Sequence, residues 1–377
     1  MRRCLVVLAG CVAFAGLALA AAPAEVEVQG LYEGTCKDGK IEARVVAQGK
    51  GDYRVYIRVD QGGGKLAKVV LDGKTAGEAV TFEGKAGDTA WKGAYADGAI
   101  KGDCGEIGTF EIKRVEKKSP TLGKKPPEGA VVLLDGKSFD SMVRANGQPW
   151  YLGDKSKEGE VVWEVALRSI AKQPAAWPTK ETPIPEGWEL MPQHRQVDVV
   201  LVIGEDGSIR VPGGGMNSKP QFEGSFDAHV EFLNPFMPTG HSQGRGNSGC
   251  YLPNGQEIQV LDSFGDATYT GGGCGGLYSY KDPDAMESLP GPDGKEFKFS
   301  LASLPPEQWQ TYDIEYRVEM KDGKAVGKPR LTLFHNGIKI HDNVELKQDA
   351  RKGGFQFQDH GCAVRYRNIW VMPLEGK

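Results

Sequence analysis

The chain has 377 residues, of which 25% are charged, and its formal net charge at pH 7 is -4. A chain of this length is expected to form two or three domains, and its balance of charge provides no basic surface for nucleic acid. The 52 glycines and 22 prolines favour many short strands joined by turns.

Residues 1–24 are predicted to be a secretory signal peptide. Arg2 and Arg3 precede an apolar run, and small residues at Ala22 and Ala24 suit cleavage. The alternative is a lipoprotein acylated at Cys11, although the apolar run continues past that cysteine. We therefore expect an exported protein, periplasmic or extracellular. No later run reaches about 18 consecutive apolar residues, so no transmembrane span is expected.

Five cysteines follow the predicted cleavage sites. Export permits disulfides, and the pairs Cys36–Cys104 and Cys250–Cys274 would leave Cys362 unpaired. Buried free thiols are the alternative for the second group, because sequence does not determine connectivity.

Residues 25–116 are predicted to form a small antiparallel β domain. Short alternating runs such as Tyr53–Val59 and Thr109–Arg114 are separated by glycine-rich turns. The domain lacks histidine and any tight carboxylate cluster, so we expect no catalysis there, and its role is not predicted. Residues 117–129, rich in proline and lysine, are expected to form a semi-extended, solvated linker.

Residues 130–377 are predicted to form a two-sheet jelly roll. Strand-like runs such as Phe226–Phe232 and Arg330–His335 recur, and helical patterns are scarce. The segment 150–195 differs, because its four tryptophans lie among proline, lysine and glutamate. We expect a long loop or insertion whose tryptophans either stack on sugars or anchor packing.

Two of these strand-like segments carry the candidate chemistry. Glu257 and Gln259 share one face of their strand, and the alternating Ile258 and Val260 suit a core. If the second segment, Gly354–His360, joins the same sheet, the two form one polar surface.

In that second segment, Phe355 and Phe357 suit the core, whereas Gln356, Gln358 and His360 point the other way. Amides bind sugar hydroxyls, and a Glu/His combination can supply a general base and acid. An ordinary solvated face is the alternative.

Several motifs in this order resemble the 3-keto-disaccharide hydrolase family. The motifs are Asn247–Tyr251, Glu257–Asp262, Cys274–Tyr278, Trp309–Ile314, Gln358–Gly361 and Val364–Ile369. The resemblance covers about residues 130–374 and implies an all-β, concanavalin A-like jelly roll. Cys250 and the pair Cys362-Ala363 depart from the family pattern.

The resemblance implies an enzyme that cleaves 3-keto-glycosides. A ketone at C3 of the sugar acidifies the C2 hydrogen, so a base removes it, the C1 substituent leaves and water adds. This scheme needs no second carboxylate as nucleophile, unlike ordinary glycosidases. We expect Glu257 or His360 to be the base and Arg365 or Arg367 to support the enolate, with a structural ion pair as the alternative for Arg367.

The residues expected to contact substrate are Asn247, Tyr251, Gln259, Gln358, Asp262 and His241. For Asp262 the alternative is a turn or capping role. No cofactor is predicted with certainty, but a divalent cation held by Glu257 and His360 is one hypothesis. The predicted partner is an oligosaccharide or glycoside, and the oligomeric state is not predicted. The competing functions are a non-catalytic carbohydrate-binding module and a conventional two-carboxylate glycosidase.

Overall fold

The computed structural model describes residues 22–144, 147, 151–152, 200–201, 203–290 and 296–374. Most of the predicted signal peptide, with Cys11, lies outside the described residues, as does the predicted insertion at 150–195 apart from Tyr151 and Leu152. The described ranges are almost entirely β, with one helical turn, α1 (Glu25–Val28), and 3₁₀ turns at Gly105–Ile107 and Ser242–Gly244. The all-β prediction is confirmed. In these ranges no helix has the length and apolarity needed to cross a bilayer.

The N-terminal domain closes into an antiparallel barrel within the described range 22–144. Its strands are β1 (Gly30–Cys36), β2 (Gly39–Gly49), β3 (Asp52–Asp60), β4 (Leu66–Ala76), β5 (Ala79–Ala86), β6 (Thr89–Ala96), β7 (Ala99–Asp103) and β8 (Thr109–Val115). Each strand pairs with the next and β8 returns to β1, so the sheet has no free edge. Trp91, Tyr32, Tyr53 and Phe82 are among the large aromatic side chains in its interior.

The rest of the described chain forms two packed sheets. Its strands are β9 (Val131–Leu134), β10 (Met142–Arg144), β11 (Tyr151–Leu152), β12 (Val200–Leu201), β13 (Ile209–Arg210), β14 (Met216–Ser218), β15 (Phe226–Leu233), β16 (Asn247–Tyr251), β17 (Glu257–Leu261), β18 (Met286–Pro290), β19 (Glu296–Ser300), β20 (Gln310–Lys321), β21 (Lys324–His335), β22 (Ile338–Glu345), β23 (Gln356–Phe357) and β24 (Arg365–Pro373). Within the described residues, one sheet has the order β10-β14-β23-β16-β17. The other has the order β13-β24-β15-β20-β21-β22, with β9 beside β24. The short pairs β11-β12 and β18-β19 lie outside both sheets.

The two sheets face each other across one hydrophobic core, as expected for the predicted jelly roll. Ile258 and Phe357 of the first sheet and Val230 and Tyr366 of the second are fully buried in it. The rings of Phe357 and Tyr366 lie 4.9 Å apart, so they join the sheets directly. Residues that alternate with these must point away from the core, to the outer face of their own sheet.

The barrel packs against the sandwich through a separate apolar cluster. Val45 and Val46 are neighbours on β2 and both are fully buried, although they point to opposite sides of the strand. Val45 belongs to the barrel interior, whereas Val46 packs with Tyr56, Phe264 and Phe299 between the domains. This interface explains why β2 is buried on both faces along part of its length.

Part of the predicted linker is docked on the second sheet, although most of its residues are exposed. Thr121 donates a hydrogen bond to Asp313 (2.6 Å), and the Gly123 amide donates to Glu231 (2.6 Å). Both acids lie on the outer face of the second sheet. Composition alone does not reveal buried acceptors elsewhere in the chain, so these two contacts could not be predicted from the sequence.

The five cysteines of the described residues are free thiols. The predicted pairs Cys36–Cys104 and Cys250–Cys274 are therefore not formed. Cys250 and Cys274 instead lie buried in the sandwich core, and burial raises the pKa of the Cys274 thiol to about 11. A buried, protonated thiol is a packing group rather than a nucleophile.

Candidate active site

The two polar segments predicted from sequence lie in one sheet, on either side of β16. Gly249 pairs with Gln259 and Tyr251 pairs with Glu257, and Tyr251 also pairs with Gln356 of β23. Paired residues present their side chains on the same side of a sheet. We refer to the resulting set as the polar face: Asn247, Tyr251, Glu257, Gln259, Gln356 and Gln358. Its opposite side is the sandwich core.

A glycine makes room for the carboxylate of Glu257. A Cβ atom on Gly249 would lie 2.2 Å from Oε1 of Glu257 and 3.0 Å from the ring of Tyr251. Both neighbours are side chains of the polar face, so any larger residue at 249 would displace them. The glycine therefore positions the acid close against the sheet.

Glu257 ends a chain of hydrogen bonds that begins at Gln358. The Gln358 amide donates to the Tyr251 hydroxyl (3.2 Å), and Tyr251 hydrogen-bonds the Glu257 carboxylate. Burial raises the pKa of Glu257, which is 7% exposed, and the hydrogen bond from Tyr251 opposes this rise in part. Burial and the adjacent carboxylate raise the pKa of Tyr251, which keeps its hydroxyl protonated as a donor. A carboxylate with a raised pKa is suited to general base or acid catalysis.

Side-chain amides form a network beside Glu257. Gln259 donates to the side-chain oxygens of Gln243 (2.9 Å) and Asn247 (3.3 Å), and Asn247 also donates to Gln243 (3.1 Å). Gln243 is anchored in turn by donating to Thr268 (3.0 Å) and to the main chain of Gly272 (2.9 Å). Sequence analysis missed Gln243, since it lies in a loop where no strand alternation indicates which way a side chain points.

Two exposed tyrosines border the polar face. Tyr269 is 48% and Tyr278 37% exposed, and their hydroxyls hydrogen-bond each other (2.7 Å). The Tyr278 amide donates to the main-chain oxygen of Glu257 (3.1 Å), which places this residue beside the acid. Exposed aromatic rings next to side-chain amides are typical of a small-molecule site. In the sequence, the glycine-rich stretch between these two tyrosines was the available indication of a site here.

The two predicted site histidines lie on chain segments that adjoin residues of this region in sequence. His360 is exposed and lies two residues beyond Gln358, on the same segment. His241 is also exposed, and its Nδ1 is 3.8 Å from Asp266. It directly precedes the turn that carries Gln243.

The structure does not bring Arg365 and Arg367 to the polar face. Both lie on β24 of the other sheet and flank Tyr366, which points into the core. Arg367 instead pairs with Glu231 (2.8 Å), and its guanidinium lies 4.0 Å from the centre of the Trp309 ring. The expectation that these arginines support an enolate beside Glu257 is contradicted, because the two sheets and their core separate the groups. For Arg367 the structural ion pair is the interpretation that agrees with the structure.

Asp262 is likewise turned away from the polar face. Its side chain is fully buried and pairs with Nε of Arg245, also fully buried, at 2.9 Å. It also accepts a hydrogen bond from the Phe264 amide, as in a turn. A substrate contact by Asp262 is therefore contradicted, and the turn role is the one observed.

The residues of a metal site are not assembled around Glu257. Among the described residues no group of three or more His, Cys, Asp or Glu side chains is arranged to hold a metal ion. The metal hypothesis stays a prediction that rests on Glu257 and His360 alone.

Comparison with known proteins agrees with the resemblance seen in the motifs. Residues 129–372 match the family described as a 3-keto-alpha-glucoside-1,2-lyase-like domain. One solved structure with a detectable likeness is a "putative glycosyl hydrolase" from Parabacteroides distasonis ATCC 8503, with 24% identity and a TM-score of 0.44 over 66% of this chain and 86% of that one. That likeness is too distant to bear on function, and no curated protein matches the chain significantly. The family match spans well over half of the sequence, and the chain therefore belongs to the 3-keto-alpha-glucoside-1,2-lyase-like family.

Proposed function

We propose that this protein is an exported enzyme that cleaves 3-keto-glycosides, with Glu257 as the leading candidate base. The observation that carries the proposal is Glu257 itself: a buried carboxylate with a raised pKa, close to the amide of Gln259, in a domain of this family. Export is proposed from the N-terminal sequence. The native protein should then begin after Ala22 or Ala24, which N-terminal sequencing would test.

The proposed reaction begins at C2 of the oxidised sugar. Glu257, or His360 as the alternative base, takes the C2 proton, and the electron pair of that C–H bond forms an enolate with the C3 ketone. When the enolate collapses, a C1–C2 double bond forms and the C1–O bond breaks. The departing oxygen takes a proton from an acid, for which exposed His360 is the candidate.

Water then completes a net hydrolysis. Its oxygen adds to C1 and a proton returns to C2, so the ketone is regenerated and no oxidant or reductant is consumed. The side chains proposed to hold the sugar hydroxyls and the ketone oxygen are the amides of Asn247, Gln259 and Gln358 and the rings of Tyr251, Tyr269 and Tyr278. His241 stays a candidate for closing over the sugar from the adjacent loop.

A conventional glycosidase is less well supported. That mechanism needs a second carboxylate about 5 to 10 Å from the first. Asp262 was the candidate on the same strand, but it pairs with Arg245, and the register between β16 and β17 is regular, without a bulge that would turn it round.

The decisive experiment compares a 3-keto-glucoside with the same glucoside unoxidised, at several pH values, with and without a chelator. Wild-type protein is expected to release the aglycone from the ketone only. Glu257→Gln should lower turnover by about 10²- to 10⁴-fold, the usual contribution of a positioned general base. Glu315→Gln, the same change on the exposed outer face of the other sheet, is the matched control and should leave turnover unchanged.

Two results would overturn the proposal. One is wild-type protein that leaves the ketone intact under every condition. If calorimetry showed that this inactive protein still binds the sugar, the carbohydrate-binding module would be the better description. The other is undiminished turnover in Glu257→Gln together with His360→Ala, which would place the base elsewhere.

A further inference from the structure

We propose that the N-terminal barrel is a positioning domain for the candidate active site. The segment that links them is residues 262–270, the site loop, which leaves the acid strand β17 and runs along the barrel. This inference rests on the proposed function for its prediction about KM. Its prediction about hydrogen exchange of the loop does not require any enzymatic activity.

The barrel contacts the site loop through close apolar packing. Phe264 is fully buried in the cluster between the domains, together with Val46 and Tyr56 of the barrel. Gly265 has a φ of +67°, and a Cβ atom there would lie 2.4 Å from Cγ2 of Val46 and 3.0 Å from the Tyr56 ring. At this position the loop therefore touches the barrel with no space for a side chain.

Arg44 of the barrel strengthens this contact. Its guanidinium donates to the main-chain oxygens of Ser303 (2.9 Å) and Leu301 (2.5 Å), and its centre lies 5.1 Å from that of the Phe264 ring. Burial lowers the pKa of Arg44 to about 10, so the group remains charged at neutral pH. One barrel side chain thus holds the loop phenylalanine and the sandwich main chain together.

The far end of the site loop reaches the polar face directly. Thr268 Oγ1 accepts hydrogen bonds from Ser242 Oγ (2.7 Å) and Gln243 Nε2 (3.0 Å), and Gln243 accepts from Gln259 of the polar face (2.9 Å). Tyr269 bonds to Tyr278 beside Glu257. The contacts from Val46 to Gln259 are therefore continuous.

The physical reason for such a support is the composition of the loop. Phe264, the fully buried aromatic residue of this loop, packs against Val46 and Tyr56 of the barrel as well as Phe299 of its own domain, so losing the barrel side of this packing should lower the local stability of the loop. Two of the amides proposed to bind sugar hydroxyls, Asn247 and Gln259, are buried and hydrogen-bond to Gln243, which in turn hydrogen-bonds to Thr268. Small displacements of binding groups weaken substrate positioning strongly. Loosening the barrel contact should therefore raise KM more than it lowers kcat.

The test uses two neighbouring valines of the full-length protein. Val46→Ala removes one of the barrel's contacts with the site loop, whereas Val45→Ala makes the same truncation into the barrel interior and is the matched control. Hydrogen exchange of the peptides covering 262–270 should become about tenfold faster in Val46→Ala. It should change little in Val45→Ala when the two variants are compared under conditions that give them equal free energies of unfolding. With the 3-keto-glucoside, KM should rise about three- to tenfold in Val46→Ala while kcat changes less than about twofold.

A second variant tests the contact without weakening the barrel core. Gly265→Ala should accelerate exchange of the site loop in the wild-type background and do so less in a Val46→Ala background, because the clash with Val46 has been removed. Equal hydrogen exchange of the loop in Val45→Ala and Val46→Ala would overturn the positioning role. So would a double variant, Gly265→Ala with Val46→Ala, whose effect on loop exchange is the sum of the two single effects. Altered exchange in a protein without turnover would instead support the positioning role and refute only the proposed function.

Discussion

The pairing of Tyr251 with Glu257 is the residue-scale feature that decides how the candidate site responds to pH. Burial raises the pKa of Glu257 and the hydrogen bond from Tyr251 opposes that rise. A base must be deprotonated to act, so activity should fall as the pH drops through this raised pKa. The hydrogen bond from Tyr251 thus keeps Glu257 deprotonated, and able to act as a base, down to a lower pH.

Tyr251→Phe tests this directly. Without the hydrogen bond the pKa of Glu257 rises further, so the acid limb of the kcat/KM profile should move to higher pH. The activity on the plateau should fall by less than about tenfold, since the base itself remains. Tyr280→Phe, which removes an exposed hydroxyl bonded to the main chain of Glu345, is the control and should leave the limb in place. An unmoved acid limb in Tyr251→Phe would show that the limb does not report Glu257.

At the level of the strands, a buried histidine lies between the two acids that bind the docked linker. His229 of β15 hydrogen-bonds Asp313 (2.9 Å) and Glu231 (3.4 Å), and the linker bonds to both acids. Burial alone would lower the pKa of His229, but its two acidic partners outweigh this and raise it. Burial would raise the pKa of Glu231, yet the bonds from His229, Asn368 and Arg367 bring it down to about 2.

The signs of these shifts predict how stability changes with pH. The stabilisation from charged His229 is present below its unfolded pKa, near 6.5, and is lost as the pH rises through its raised folded pKa. The stabilisation from Glu231 is present above its unfolded pKa, near 4.5, and is lost only as the pH falls toward about 2. The cluster should therefore contribute most between those two unfolded values.

His229→Gln measures that contribution. The variant should be less stable by about 1–3 kcal/mol in mildly acidic buffer, because a buried hydrogen-bonded charge is lost. The difference from wild type in the free energy of unfolding, measured by denaturant titration at each pH, should shrink as the pH rises from 6 to 9. His241→Gln, at an exposed histidine, is the control. A difference that does not change with pH would contradict a charged His229.

At the scale of the whole molecule, the barrel and the sandwich share one interface rather than a flexible joint. The cluster around Phe264 and Phe299 belongs to both domains. Glu287 of β18 is nearly buried and pairs with Arg58 (2.9 Å) and Lys68 (2.5 Å) of the barrel. Because these contacts join the two cores, we expect the domains to unfold together.

Glu287→Gln should weaken this coupling. Its two partners are about one-third exposed, which screens the interaction, so the expected loss is about 1–2 kcal/mol. Calorimetry should show a single transition in wild type and a lower Tm, or a split transition, in the variant. Glu42→Gln removes the exposed partner of the same Arg58 and should change Tm much less. Equal effects of the two changes would contradict a coupling role for Glu287.

The sequence by itself determined the β class, the family and which side chains share a strand face. Alternation around Glu257 and Gln259, and around Phe355 and Phe357, is a local property of extended backbone, so it can be recognised without tertiary contacts. The motif order identified the family for the same reason, since it needs only residues and their spacing. Strand alternation was therefore enough to suggest that Gln358 and Glu257 lie on the same polar face.

Only the tertiary structure decided which sheet each strand joins and what each charged group meets. Arg367 alternates as regularly as Gln358 does, but β24 lies across the core from the polar face and meets Glu231 there. Asp262 meets Arg245, and Val46 meets the site loop, through contacts between distant parts of the chain. Strand pairing and domain packing are long-range interactions, and a periodic pattern of side chains contains no information about the partner on the other side.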